Sequence, residues 1–430
     1  MRAVGRFGAG LGLGVVLALF AGTGCGLFSE GTVISPAPIA GEDEQPAAQR
    51  SPTPTATFAG VPLPSDAVVI GALMATTGFL ADYDEPALVA ARNRIDALNQ
   101  AGGLLGRPVV LRHIDSHTEM SSIRRGAERL LLDGVDLVLM TCDAVFAQPA
   151  LDLLNRSGTV VISPCGTDDL WISGELGERV FSLGTPVSAE AEILAALVAD
   201  RGFATVTGII DQTSTEAAAV CEAFEQGFET AGGRVSSLYR YQPTDPSLLE
   251  PILAGLAVSE PDAIVFCGTR SVAPEILAPI RAAGFAQPIF SGSAMDGDHW
   301  IGLVPGVGDF TMLSYASVYA DSPDPNPEVR RVLADYFAAT GHRARDGRVI
   351  TGHDAVEAYV RAVEQAGTTD PEAVAAELAR FDGEELVAGP VTFGPRVRSA
   401  QGRLMRVITI QEPYAQFERI AGPSSASAAQ

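Results

Sequence analysis

From Ala67 onward the chain alternates short, unbroken apolar runs with longer stretches in which apolar residues recur at helical spacing. Strict apolar/polar alternation is rare, so the short runs read as strands buried on both faces, as in parallel sheets covered by helices. The first run, residues 67–73, predicts a strand. Pro86 then fits the first turn of a helix whose apolar face carries Leu88, Ala91, Ile95 and Leu98, ended by Gly102 and Gly103. The pattern continues with strands at 108–114, 135–141 and 159–163, helices at 123–132 and 147–155, and a further run at 179–183. A second series follows: helices at 189–200, 216–231, 248–258 and 273–283, with strands at 204–211, 234–239 and 262–267. Two such series make an α/β protein of two lobes, each an open parallel sheet covered by helices. Open sheets of this kind bind ligands beyond the carboxyl ends of their strands, which places a cleft between the lobes.

The amino terminus has a different character. Arg2 and Arg6 precede an apolar stretch to about Gly22, the layout of a signal peptide, too short and glycine-rich for a permanent membrane span. Ala21, Gly22, Thr23 and Gly24 lead to Cys25, a sequence that resembles a bacterial lipobox and departs from it at Gly22, where leucine is usual. The expected organisation is a lipoprotein signal peptide at 1–24, a lipidated Cys25 opening a disordered Pro/Thr-rich tether at 25–65, and a disordered tail at 422–430. The product is then an exported, membrane-anchored lipoprotein facing the periplasm or the cell exterior.

The formal net charge of -23 repels phosphate backbones and anionic headgroups, which excludes nucleic acid as a partner and leaves the lipid anchor as the route to the membrane. No lysine occurs anywhere, so Schiff-base and P-loop lysine chemistry are absent. Beyond Cys25 there are four cysteines. Cys142 and Cys165 each end a strand-like run and could be bridged if the strand ends are adjacent, whereas Cys221 lies in a helical pattern and reads as a small core residue. No spacing of cysteine and histidine marks a metal site, and no cofactor is expected.

Three segments carry a resemblance to a known family. Residues 95–108 hold Asn99, Ala101, Gly102, Gly103, Gly106 and Arg107 in the order of a helix end leading into a strand; residues 161–167 form an Ile-Ser-Pro-x-x-Thr loop; residues 351–359 resemble a Tyr-Asp-Ala helix. Together they resemble the type I periplasmic solute-binding proteins, in particular the branched-chain amino acid (Leu/Ile/Val) group served by ABC importers. The resemblance implies three interlobe crossovers, near 184–188, 312–319 and 388–391, with lobe I formed by 66–186 plus 316–388 and lobe II by 187–315 plus 389–421. It implies a monomer that closes on a small-molecule ligand and presents it to a membrane permease.

The strand-end loops supply the candidate ligand-binding residues: Thr76, Thr77, Tyr83, Cys142, Asp143, Ala144, Cys165, Gly166 and Thr167 on one side, and Asp211, Thr213, Thr215, Arg270 and Asp296 on the other. The family reads an amino-acid carboxylate with a serine in the loop that here holds Asp143 and Ala144, and with a threonine matching Thr167. It reads the ammonium with an acid near Asp296. An aspartate at the carboxylate pocket would repel that group, so Arg270 is expected to pair with Asp143 or to meet a ligand acid.

The five histidines lie beside no nucleophile motif, and neither Gly-x-Ser-x-Gly nor Gly-x-Gly-x-x-Gly is found at a strand end. The sequence therefore describes a binding protein and not an enzyme: a protein that captures an amino acid, an amide or a small carboxylate-like solute for an ABC importer. The alternative is a sensing or regulatory lipoprotein on the same fold, acting on a membrane receptor or cell-wall enzyme without transport.

Overall fold

The computed structural model describes residues 57–58, 61–62, 64–168, 171, 175–320, 322–394, 397–411 and 414–423. The expected signal peptide, Cys25, most of the expected tether and residues 424–430 of the expected tail lie outside the described residues. Within the tether Thr57–Phe58 pairs antiparallel with Val61–Pro62, a departure from disorder that places the strand-favouring Phe58 and Val61 opposite each other.

The first sheet comprises β1 (Val68–Met74), β2 (Val109–Asp115), β3 (Leu137–Met140), β4 (Val160–Ser163) and β5 (Val180–Ser182). They run parallel in the order β2-β1-β3-β4-β5. Every residue of β1, β3, β4 and β5 is buried, which explains their unbroken apolar sequences. Between these strands run α1 (Ala81–Gln100), α2 (Met120–Asp133) and α3 (Ala144–Ser157). After α1, Gly103 holds φ +83°, and a Cβ there would collide with the Arg107 carbonyl, so the tight return into β2 requires glycine.

The chain then crosses to a second sheet with α4 (Val187–Asp200), β6 (Thr205–Asp211), α5 (Thr215–Thr230), β7 (Arg234–Tyr241), α6 (Leu249–Ser259), β8 (Ala263–Cys267), α7 (Ala273–Ala282), β9 (Ile289–Ser291) and β10 (Phe310–Ser314). It returns to cover the first sheet with α8 (Pro327–Thr340), α9 (Arg348–Ala366) and α10 (Pro371–Leu378), and forms a hairpin of β11 (Glu384–Leu386) and β12 (Gly389–Val391). It finishes in β13 (Met405–Gln411) and β14 (Tyr414–Ala421), which extend the second sheet antiparallel, in the order β14-β13-β10-β9-β8-β6-β7. Helix α9 lies so close on α1 that a Cβ at Gly352 would strike the Ala87 carbonyl. Val68, Leu88, Ile95, Phe181 and Tyr359 fill the core beneath them.

Three expectations are corrected. Helix α1 starts at Ala81, so Pro86 sits inside it and not in its first turn. The third crossing comes later than 388–391: Val391, Phe393 and Ala400 are packed in the first lobe's core, and Ser399 bridges Ser182 of β5, so the chain leaves that lobe only beyond residue 400. Cys221 is not a lone core thiol, because its helix packs across β8 and brings it to Cys267 in a disulfide with a Cα–Cα distance of 5.7 Å.

Candidate functional site

The carboxyl ends of the two sheets face one cavity of about 300 Å³. The loops after β1, β3 and β4 line it with Phe79, Leu80, Cys142, Asp143, Cys165 and Thr167, α1 adds Tyr83 and α9 adds Arg348; the second lobe contributes Glu190, Thr213, Ser214, Glu216, Ala217, Val220, Thr269, Ser271, Val272, Ser293 and Ala294. A wider groove of about 820 Å³ lies among α1, α8 and α9 on the outside of the first lobe, remote from the strand ends where open sheets bind ligands.

Each wall is held by local chemistry. Asp143 opens α3 as its N-cap, accepting the backbone N–H groups of Val145 (2.8 Å) and Phe146 (3.1 Å). Cys142 and Cys165 are joined by a disulfide with a Cα–Cα distance of 4.9 Å, which ties the β3 and β4 loops together. Beneath them, buried Asp84 accepts the N–H groups of Ala75 (2.7 Å) and Cys142 (3.2 Å), and burial pushes its carboxyl up to about 6. On the opposite wall, Asp211 accepts from Thr213 Oγ1 (2.6 Å) and Thr269 Oγ1 (2.7 Å), which fixes both threonines at the cavity. Ser214 caps α5 through Ala217 N–H.

Contacts also cross the cavity. Thr167 Oγ1 donates to Glu216 Oε2 (3.1 Å), and Tyr83 donates its hydroxyl to the Ala294 carbonyl (3.2 Å). Within the second lobe, Glu190 accepts from Ser293 N (2.8 Å) and Ser293 Oγ (2.7 Å). Burial raises the carboxyls of Asp143, Glu190 and Glu216 above their ordinary values, and at Glu216 the charges of Asp143 and Asp168 push in the same direction.

Beside the cavity an ion network stitches the lobes. Asp346 takes Arg270 Nη1 at 2.6 Å and Arg348 Nη1 at 3.0 Å. Arg270 also donates to the Asp296 carbonyl (2.5 Å) and the Asp82 carbonyl (3.0 Å), and Arg348 to the Ser293 carbonyl (3.1 Å). Pro86 has no N–H to bond four residues back, so it leaves the Asp82 carbonyl free for Arg270. The Tyr83 ring packs against both guanidiniums, 4.2 Å from Arg270 and 4.9 Å from Arg348. Burial works against both cations, but Asp346, Asp296 and the neighbouring tyrosines together outweigh it and both are pushed up, so each stays charged.

Among the residues expected to bind ligand, Tyr83, Cys142, Asp143, Cys165, Thr167 and Thr213 line the cavity. The others lie outside its lining. Thr76 and Thr77 donate to Asp115, each at 2.9 Å. Ala144 is buried in the first turn of α3, and Gly166 packs against the Trp171 ring. Asp211 supports Thr213 and Thr269 from behind, and Thr215 opens α5. Arg270 pairs with Asp346 and not with Asp143, because the network draws it beneath Tyr83. Asp296 turns from the cavity to accept from Ser314 Oγ (2.7 Å) and Gly347 N (2.8 Å), and burial pushes it up to about 7. Glu190, Glu216 and Arg348 are the charged lining residues that sequence reading missed. Acids in the first turn of a helix fit the helix dipole as well as they fit a site, and Arg348 stands three residues before the motif at 351–359.

The cleft lies at the strand ends of two similar lobes, and the chain matches a known family model, described as periplasmic binding protein, over residues 67–413. The chain belongs to that family. As a member it binds ligand and is not an enzyme. It is 24% identical over 345 residues to the Leu/Ile/Val-binding protein BraC3 of Rhizobium johnstonii, covering 80% of this chain and 91% of that one. It is 22% identical to the leucine-, isoleucine-, valine-, threonine- and alanine-binding protein of Pseudomonas aeruginosa, covering 79% and 88%. In structure it is similar to the leucine-binding protein LivK of Thermotoga maritima (TM-score 0.72, 18% identity, 83% of this chain and 99% of that one). It is also similar to a Rhodopseudomonas palustris solute-binding protein in complex with 3,4-dihydroxybenzoic acid (TM-score 0.71, 14% identity, 85% and 100%). These structural likenesses establish the type I two-lobed fold. Among the described residues no helix is long and apolar enough to cross a membrane, and no cluster of His, Cys, Asp or Glu could hold a metal ion.

Proposed function

We propose that this periplasmic binding protein is a lipid-anchored capture protein that closes its two lobes over a small polar solute of amino-acid or amide size and presents it to the permease of an ABC importer. The observation that carries the reading is the cavity of about 300 Å³, at the lower end of the usual range for ligand sites, with polar side chains converging on it from both lobes. Such a site stabilises the closed form by bridging the lobes, and a membrane partner can read closure as occupancy. Relatives named for branched-chain amino acid binding support the transport assignment, and Cys25, at the end of its lipobox-like sequence, supplies the anchor.

Two measurements test this. Thr167→Val removes a hydroxyl that faces the cavity; it is expected to weaken solute binding by about 1 to 3 kcal/mol, and unchanged affinity in a calorimetric titration refutes its role. Cells expressing the full chain with a labelled fatty acid are expected to mark the protein, and Cys25→Ser to abolish the mark; label retained on that variant refutes the anchor.

A further inference from the structure

The charges around the cavity are lopsided. Three acids line it, Asp143, Glu190 and Glu216, against one cationic side chain, Arg348. Arg348 is already matched: its Nη1 holds Asp346 and its Nη2 the Ser293 carbonyl. Arg270 and Arg348 are both held by Asp346, and among the described residues no ion pair joins Asp143, Glu190 or Glu216 to an arginine. The backbone donors nearest the lining acids are also taken. The N–H groups at the start of α3 go to Asp143, and Ser293 N–H goes to Glu190. A second, independent observation points the same way: Glu216 Oε1 is enclosed without a hydrogen-bond partner, while its other oxygen holds Thr167.

Given the reading of this cavity as the solute site, on which the inference rests, we propose that the cleft selects a small organic cation, an ammonium or guanidinium compound without a carboxylate, and discriminates against α-amino acids. The cationic group meets Glu216 Oε1 and the Asp143 carboxylate, and Leu80, Ala217, Val220 and Val272 enclose its hydrocarbon stem. The Tyr83 ring already packs against two guanidiniums, so ionic contact and not an aromatic cage provides the recognition. Arg348 Nε is enclosed without a partner. A ligand carboxylate there would approach Glu190, whose charge interacts with the same guanidinium, so Nε suits a neutral acceptor such as a hydroxyl.

The groups that face Glu216 are Asp143 and Asp168 from the first lobe, Arg348 and the Thr167 hydroxyl; those facing Glu190 are Ser293, Arg348 and Tyr315. Burial raises the Glu216 carboxyl above its ordinary value, and an entering cation would lower it again and favour loss of a proton.

The test is calorimetric titration of the full chain in detergent with amino acids and their decarboxylated counterparts: lysine and cadaverine, arginine and agmatine, leucine and isoamylamine, with benzoate and acetamide as anionic and neutral probes. At least one amine is expected to bind about tenfold or more tightly than its parent acid and to release protons, as shown by comparing buffers of different ionisation enthalpy. Glu216→Gln should weaken that amine about tenfold and abolish the proton release. Asp143→Asn keeps the helix cap and is expected to weaken it as well, with unfolding midpoints confirming that both variants fold. A parent acid, benzoate or acetamide binding as tightly as the amines overturns the cation assignment and leaves the solute-binding reading in place. Binding by no probe overturns both.

Discussion

Asp346→Ala offers a sharp probe of what holds the lobes together. Asp346 is 1% exposed and serves two guanidiniums that are themselves 3% and 5% exposed, besides accepting the Arg348 N–H at 2.7 Å. Removing one partner of a buried pair leaves an uncompensated charge at a cost of about 3 to 5 kcal/mol, whereas an exposed pair is worth about 0 to 1. Arg270 keeps its bonds to the Asp82 and Asp296 carbonyls and Arg348 keeps Ser293, so the lower end, about 3 kcal/mol, applies. The control is Arg331→Ala, which breaks contacts to Glu328 and Asp335 among half-exposed side chains and should cost under about 1 kcal/mol. Urea unfolding of the full chain measures both. Since the network joins Asp82 and Asp346 of one lobe to Arg270, Ser293 and Asp296 of the other, Asp346→Ala should also weaken solute affinity. A loss of stability no larger than that of Arg331→Ala would refute the view that buried ion pairing latches the lobes.

Other expectations are as direct. Burial lifts Asp84 from 3.8 to about 6 and Asp296 to about 7, so the folded chain binds protons that the unfolded chain has released, and the unfolding free energy should fall as pH rises from about 4 to about 7. For Asp84 alone the fall is about 3 kcal/mol, and Asp84→Asn should show a shallower decline in urea titrations; parallel curves would refute it. Replacing both Cys142 and Cys165 with alanine opens a loop of sequence separation 23 and is expected to cost about 3 kcal/mol and to loosen solute binding, whereas an unchanged urea midpoint would show that the bridge adds nothing.

The division into legible and illegible parts follows from physics. Strands such as Val68–Met74 and Ala263–Cys267 are buried on both faces and advertise themselves as apolar runs. The antiparallel outer strand Tyr414–Ala421 was not resolved by pattern, because it is mostly exposed and its sequence is mixed. The loops that form the cavity were readable as strand ends, but the roles of single side chains were not. Asp296 and Arg270 stand at plausible positions, yet each turns inward to partners far along the chain, Gly347 and Asp346, that only tertiary structure supplies. Glu190 and Glu216 look like helix-start acids until the facing lobe is in view. The Cys221–Cys267 bridge was hidden for the same reason, since helical spacing says nothing about the strand a cysteine will meet.

The most direct test of solute capture between the lobes is the unfolding midpoint of the full chain across a broad library of small polar solutes, repeated on a Thr167→Val/Thr269→Val variant. A solute at ~100 times its dissociation constant adds about 2.7 kcal/mol of stability. The account predicts that one chemical class raises the midpoint and that the double variant loses most of that rise. A library without effect, or a rise that survives unchanged in the variant, would contradict it.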